Sequence, residues 1–183
     1  MEAAFELFAA NGYHGCSMRD LALGVGIGTS LLYRYFPSKL DVLRAVVELA
    51  ADRLCELSEA LSVLAQESTG LRDFLLAAGT VHLDHMERLH PWYAIWFSAV
   101  PLPVEQHRAI VAAQEGVFRT VARGLAKRGE WRDPYVTART FTGALGNLVM
   151  FQERARLEAG TSELRSVFLE ELVEALGSPH RVQ

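Results

Sequence analysis

Apolar residues recur at helical spacing along nearly the whole 183-residue chain, and no stretch alternates apolar and polar side chains as a half-buried strand would. That pattern restricts the fold class to all-α. It is clearest after Ser38, where Leu43, Val47, Ala50, Leu54, Leu57, Leu61 and Leu64 step by four and three, behind a Ser38/Asp41 capping box. Asn11-Gly12, the glycine-rich stretch 24–28, Pro37, Ser68-Thr69-Gly70, Pro91, Pro101, Pro103, Gly129, Asp133-Pro134 and Gly160-Thr161 punctuate the periodic segments. The spacing predicts a first helix from about Met1 to Ala10, a second from Ser17 and a third ending near Phe36. A long helix opens at Ser38 and carries the stripe to Leu64, and further helices are expected over 71–89, 91–99, 104–128, 134–157 and 162–176. The first helix opens abruptly at Met1 and reads as truncated.

Half of the residues are hydrophobic and 22% are charged, the composition of a soluble globular protein. No apolar run approaches the roughly 20 residues needed to cross a bilayer. Nor is there a basic start followed by an apolar core and a cleavage site. A cytoplasmic location with no membrane partner is the expectation. Cys16 and Cys55 stand far apart in no ligand spacing and read as reduced structural thiols. The net charge of −4 excludes a broadly basic nucleic-acid coat. In residues 1–45 Arg19, Arg34, Lys39 and Arg44 are balanced by Glu2, Glu6, Asp20 and Asp41, so any contact with DNA must be local.

Two short helices joined by a Gly-rich turn form what a major-groove reader needs, since the groove admits one helix whose leading residues meet base edges. The first buries Met18, Leu21, Ala22 and Val25 at helical spacing behind Ser17, with Asp20 completing a capping-box-like start. The second opens at Thr29 or Ser30, either of which can cap it, and carries Leu31 at its leading end. Lys39 lies in the first turn of the next helix, where a cation opposes the macrodipole unless an anion is near. Tyr33 and Tyr35 are two apart and cannot share one narrow buried stripe, so at least one is exposed. Arg19 and Arg34 read as charges on the DNA side.

The segments Leu7-Phe8-Ala9-Ala10-Asn11-Gly12-Tyr13, Ser17-Met18-Arg19-Asp20-Leu21-Ala22 and Leu32-Tyr33-Arg34-Tyr35-Phe36-Pro37-Ser38-Lys39 resemble the TetR family of bacterial repressors. The resemblance covers about residues 5–47; the rest is similar in length and helical pattern alone. It implies a helix-turn-helix DNA-binding domain at 1–45 and a helical ligand-binding and dimerisation domain at 46–183. By the same resemblance, Ser17, Arg19, Tyr33, Tyr35 and Lys39 would contact phosphates, and Thr29, Ser30 and Leu31 would approach bases. The partners implied are double-stranded operator DNA, a small effector and a second copy of the chain. Leu31 stands where a small polar residue is common, so the base preference is not transferable.

The remainder is rich in large side chains. Trp92, Trp96 and Phe97 on a Pro-bounded segment read as a pocket wall, with Phe74, Met86, Phe118 and Phe141 around it. His82, Gln114 and Asn147, together with His85, His107 and Thr142, are polar groups that can orient a hydrophobic or aromatic effector. His82, His85, Met86 and His90 share a helix face, but with no Cys or carboxylate constellation no metal or other cofactor is expected. Ala138, Thr142 and Gly146, and the stripe Leu164, Val167, Phe168, Leu172 and Leu176, read as a dimer face. The absence of a partnered nucleophile, a phosphate loop or paired carboxylates argues against an enzyme. The function expected is a ligand-responsive repressor; the alternative is a helical dimer that binds a small molecule and has lost DNA binding.

Overall fold

The computed structural model describes residues 1–97, 102–129, 131–155 and 161–177, with side chains described at all of these but 89–97, 150–155 and 161–163. Among the described residues there are eight helices and no strand: α1 Glu2–Gly15, α2 Met18–Val25, α3 Thr29–Tyr35, α4 Lys39–Glu67, α5 Leu71–Phe97, α6 Val104–Ala126, α7 Pro134–Ala155 and α8 Thr161–Gly177. The chain divides into two compact units. One comprises Met1–Leu54 with Arg88–Gln114, the other Cys55–Glu87 with Glu115–Gln183.

In the first unit α1 buries Ala4, Phe5 and Phe8, α2 buries Met18, Leu21 and Ala22, and α4 buries Val42, Leu43, Val46, Val47 and Ala50. Removing a Phe or Leu side chain from water contributes about 1.5–3 kcal/mol, so these rings and branched chains hold the short helices together. The stop signal at Asn11-Gly12 acts within α1, where Gly12 leaves the helical conformation at φ 71°. The α2 to α3 turn is a Schellman arrangement: the Gly26 amide donates to the Leu23 carbonyl and the Ile27 amide to that of Ala22, with Gly26 left-handed at φ 76°. A Cβ on Gly24 would stand 2.4 Å from Leu7 Cδ1, so glycine there lets α1 and α2 approach closely.

Several expectations are corrected. Val25, expected in the α2 stripe, is 39% exposed, because the chain turns away at Gly26 before anything covers that last residue. The cap of α3 is Gly28, whose carbonyl accepts from the Leu31 and Leu32 amides; neither Thr29 nor Ser30 caps it. In α4 the stripe drifts from Leu64, half-buried, to Ala65, buried, as a true 3.6-residue period does over seven turns. Pro91 does not end α5. Proline removes the donor to the Glu87 carbonyl, yet the helix continues through it, and the Arg53 guanidinium donates to the neighbouring Arg88 carbonyl at 2.7 Å.

The second unit is organised around Phe74. Its ring is fully buried, with Arg128 Cζ 4.7 Å from its centroid. Arg128 donates to the carbonyls of Gly124 (2.9 Å), Ala65 (3.0 Å) and Ser68, so one guanidinium gathers the negative ends of both α4 and α6. On α5, a Cβ at Gly79 would meet Leu169 Cδ1 at 2.3 Å, so α8 lies directly against that backbone. Arg165 fastens the same pair, donating to Asp84 and Glu87 at 2.8 Å each, and Arg72 pairs with Glu170. The small-residue face Ala138–Thr142–Gly146, expected at a dimer contact, turns inward instead. Ala138 and Thr142 are buried with Phe141 and Leu145, and Gly146 faces Met86.

At Gly124 an added Cβ would lie 2.2 Å from Phe74 Cζ. Gly124→Ala is therefore expected to lower the unfolding free energy by about 1–3 kcal/mol, despite its helix-favouring side chain. Thermal or urea melting checks this, and an unchanged midpoint contradicts the packing described.

Candidate functional site

Ser17 caps α2 in a complete capping box. Its hydroxyl donates to Asp20 Oδ2 at 2.6 Å and accepts from the Asp20 amide at 3.2 Å, while its own amide donates to the same carboxylate at 2.8 Å. These bonds hold the Asp20 carboxyl below its ordinary range. Ser38 and Asp41 repeat the device at the start of α4, with a hydroxyl to carboxylate distance of 2.6 Å, and Arg44 donates to Asp41 at 2.8 Å.

Between the two caps lies α3, seven residues long, of which only Leu32 is buried. Ser30, Leu31, Tyr33, Arg34 and Tyr35 are exposed and Thr29 is half-buried; Tyr35 is 71% exposed. At 100° per residue, Ser30 and Arg34 stand opposite Leu32 at the centre of the outward face, flanked by Tyr33 and Leu31. Arg19 on α2 is also exposed. Both tyrosines face solvent, where one was required. A projecting face of hydroxyls, phenols and a guanidinium supplies donors for phosphates and base edges.

Lys39 takes a different position from the one its sequence context suggests. Its ammonium donates to the carbonyls of Tyr13 (2.7 Å) and Cys16 (2.8 Å) and lies 4.3 Å above the Tyr13 ring. The conflict with the α4 dipole is thus offset by two carbonyls within the protein, leaving a third N–H. Cys16, beside this tie, is a buried free thiol that donates to the Leu7 carbonyl, and burial raises its pKa. The carbonyl ends of the α1 segment had no sequence signal, because backbone acceptors leave none.

The effector residues read from sequence divide. Phe74, His82, Met86 and Phe141 are buried in the second unit. Phe118 is half-buried at its edge against Tyr135, and Asn147 is exposed, its amide donating to the Gly143 carbonyl of its own helix. Gln114 is half-buried in the first unit. The side chains of Trp92, Trp96 and Phe97, and of His90, lie outside the described residues. His107 is exposed, His85 Nδ1 lies 3.0 Å from the Val81 carbonyl, and Thr142 donates to the Ala138 carbonyl. His82 is 5% exposed and its Nδ1 has no hydrogen-bond partner. Burial, with a smaller contribution from His85, pushes its pKa down to about 4, so the ring is neutral at pH 7. Among the described residues no group of three His, Cys, Asp or Glu side chains could hold a metal ion, and no helix is long and apolar enough to cross a membrane.

The fold and the exposed α3 face define a class: an all-α protein with an N-terminal helix-turn-helix. Residues 1–46 match the description "Bacterial regulatory proteins, tetR family", so this N-terminal segment is similar to that family. It is 32% identical over 127 residues to the HTH-type transcriptional activator FasR of Mycolicibacterium smegmatis, a match covering 66% of this chain and 56% of the relative. It is 34% identical over 123 residues to the HTH-type transcriptional repressor DrrR1 of Streptomyces coeruleorubidus, covering 66% and 40% respectively. The chain thus spans about half the length of these relatives. Its fold is similar to that of the transcriptional regulator FadR from Bacillus subtilis in complex with stearoyl-CoA, with a TM-score of 0.70, 19% identity, and 94% and 95% of the two chains covered.

Two outcomes follow. Lys39→Met leaves the Tyr13 and Cys16 carbonyls without their donor and is expected to lower the stability of the DNA-free protein by about 1–3 kcal/mol in urea melts. If stability is unchanged, the ammonium does not brace the domain. His82 has a folded pKa of about 4 against an ordinary 6.5, so the unfolded chain takes up the proton first as pH falls. The stability it contributes is complete above pH 6.5 and lost toward pH 4. The stability difference between wild type and His82→Gln should therefore shift by roughly 2 kcal/mol between pH 7 and pH 5. A difference that stays constant over that interval rejects neutral burial.

Proposed function

We propose that this protein is a dimeric, ligand-responsive transcriptional regulator, a repressor whose residues 1–45 read operator DNA and whose residues 46–183 bind a small hydrophobic or aromatic effector and dimerise. The observation that carries the reading is the outward face of α3: Ser30, Tyr33, Arg34 and Tyr35 are exposed on a helix fixed by one buried leucine between two capped neighbours. One such helix fits one major groove, and a two-fold pair would read half-sites about 34–36 Å apart. In this reading Ser17, Arg19 and Lys39 approach phosphates at the groove edge, and Thr29, Ser30 and Leu31 approach bases.

Dimerisation is supported by α8. It buries Leu169 and Val173 within its own unit, while Leu164 and Val167 are 51% and 50% exposed and Phe168, Leu172 and Leu176 are half-buried. That apolar stripe is the one expected to meet a second copy. The effector reading rests on the buried apolar set Phe74, Met86 and Phe141 with His82 as the polar handle. A neutral imidazole can hydrogen-bond a carbonyl or hydroxyl, but it does not neutralise a carboxylate. The similar fold seen with stearoyl-CoA makes a long-chain acyl thioester the first compound to try. A ligand that prefers the conformation in which the two reading heads no longer match successive grooves would release the DNA.

Gel retardation of the DNA upstream of the protein's own gene tests the proposal, at fixed salt, with and without an acyl-CoA series. Retention without effector, release with it, and at least tenfold weaker binding by Arg34→Ala, about 1.4 kcal/mol, are expected. Absence of retardation by the intact, folded protein, or release that follows salt alone, overturns it.

A further inference from the structure

In the second unit a cleft of about 520 Å3 opens between α4, α6 and the first turn of α7. Its polar lining is Ser58, Arg119, Thr120, Arg123 and Tyr135, and none of its lining residues is acidic. Arg139 adds a third guanidinium beside it, lying 5.2 Å and 5.9 Å from the Phe118 and Tyr135 ring centroids. In a chain of net charge −4, three guanidinium groups around one cleft are a marked local excess.

The neighbouring carboxylate is already engaged. Glu115 accepts from the Tyr135 hydroxyl at 2.6 Å and from Arg119 Nε at 2.7 Å, both of which hold its carboxyl below the ordinary range. Arg119 and Arg123 lie four residues apart on one face of α6, with Lys127 just past its end, and like charges at this spacing repel. The α6 carbonyl end favours Arg123 and Lys127, but Arg119 stands nearly two turns earlier, beyond that field. The hydroxyls point the same way. Ser58 Oγ and Thr120 Oγ1 are 3.0 Å apart and share one hydrogen bond, while Arg123 donates to Thr120 Oγ1 at 3.0 Å. Two hydroxyl protons serve one shared bond, so among the described contacts one O–H is left to donate.

We propose that this cleft binds a small polyanion carrying phosphoryl groups, with Arg119 and Arg123 clamping its oxygens and the Ser58/Thr120 pair donating a hydroxyl hydrogen bond. Guanidinium forks match phosphate oxygens in pairs, and two of them one helical turn apart suit a ligand with two adjacent charged groups. The site is separate from the buried effector residues and does not depend on DNA binding.

Calorimetric titration with inorganic pyrophosphate tests it, using the whole chain at constant ionic strength. Wild type is expected to bind one equivalent saturably, the Arg119→Gln/Arg123→Gln double variant at least tenfold more weakly, and Arg72→Gln, altered elsewhere on the same unit, as wild type. Melting curves verify folding, and Arg123→Gln alone, with an intermediate loss, serves if the double variant melts early. Equal binding by the arginine variants, an equal response to sulfate, or no saturable heat overturns the proposal. Displacement of pyrophosphate by stoichiometric duplex DNA would assign the cleft to a nucleic-acid backbone and overturn it as well.

Discussion

The Lys39 ammonium is the contact on which the N-terminal domain turns. Short helices such as α2 and α3 are unstable alone in water, because nucleation costs more than one or two turns return. Their positions come from packing and from fixed ends. Lys39 starts α4 and reaches back to the Tyr13 and Cys16 carbonyls, closing a loop around α2 and α3. Within that loop the Ser17/Asp20 and Ser38/Asp41 boxes set where α2 and α4 begin, and Gly26 sets where α2 ends. The exposed face of α3 is therefore a rigid consequence of groups that are themselves away from it.

Much of this was legible in the sequence. The capping pairs, the glycine turn and the heptad-like stripe after Ser38 each have a local cause, and local causes leave local patterns. What sequence did not reveal depended on partners distant in the chain. Val25 fits the α2 periodicity but lies past the last covered turn. Pro91 resembles a helix stop, yet α5 continues. The step of four from Ala138 to Gly146 resembles a surface for close helix approach, and it serves the interior because Met86 arrives from another helix.

The same limit applies to the second unit. Arg128 collects carbonyls from Ala65, Ser68 and Gly124 over a buried ring. Such a group binds two helix ends and a core side chain at once, and nothing in its own neighbourhood of the chain announces this. The Arg119/Arg123 pair was similarly silent, because its significance comes from Ser58 on α4 and Tyr135 on α7. Of the residues expected to meet an effector, Phe141 and Asn147 share α7 and its periodicity, and only the packing of the unit separates the buried ring from the exposed amide.

A single side chain of α3 is buried: Leu32, 4% exposed. The five exposed positions Ser30, Leu31, Tyr33, Arg34 and Tyr35 can be exchanged with little disturbance of the core. Under the proposed function, new DNA preferences would then arise by substitution at the surface while the scaffold stays unchanged. The narrowness of that attachment separates the freedom to diversify from the need to remain folded.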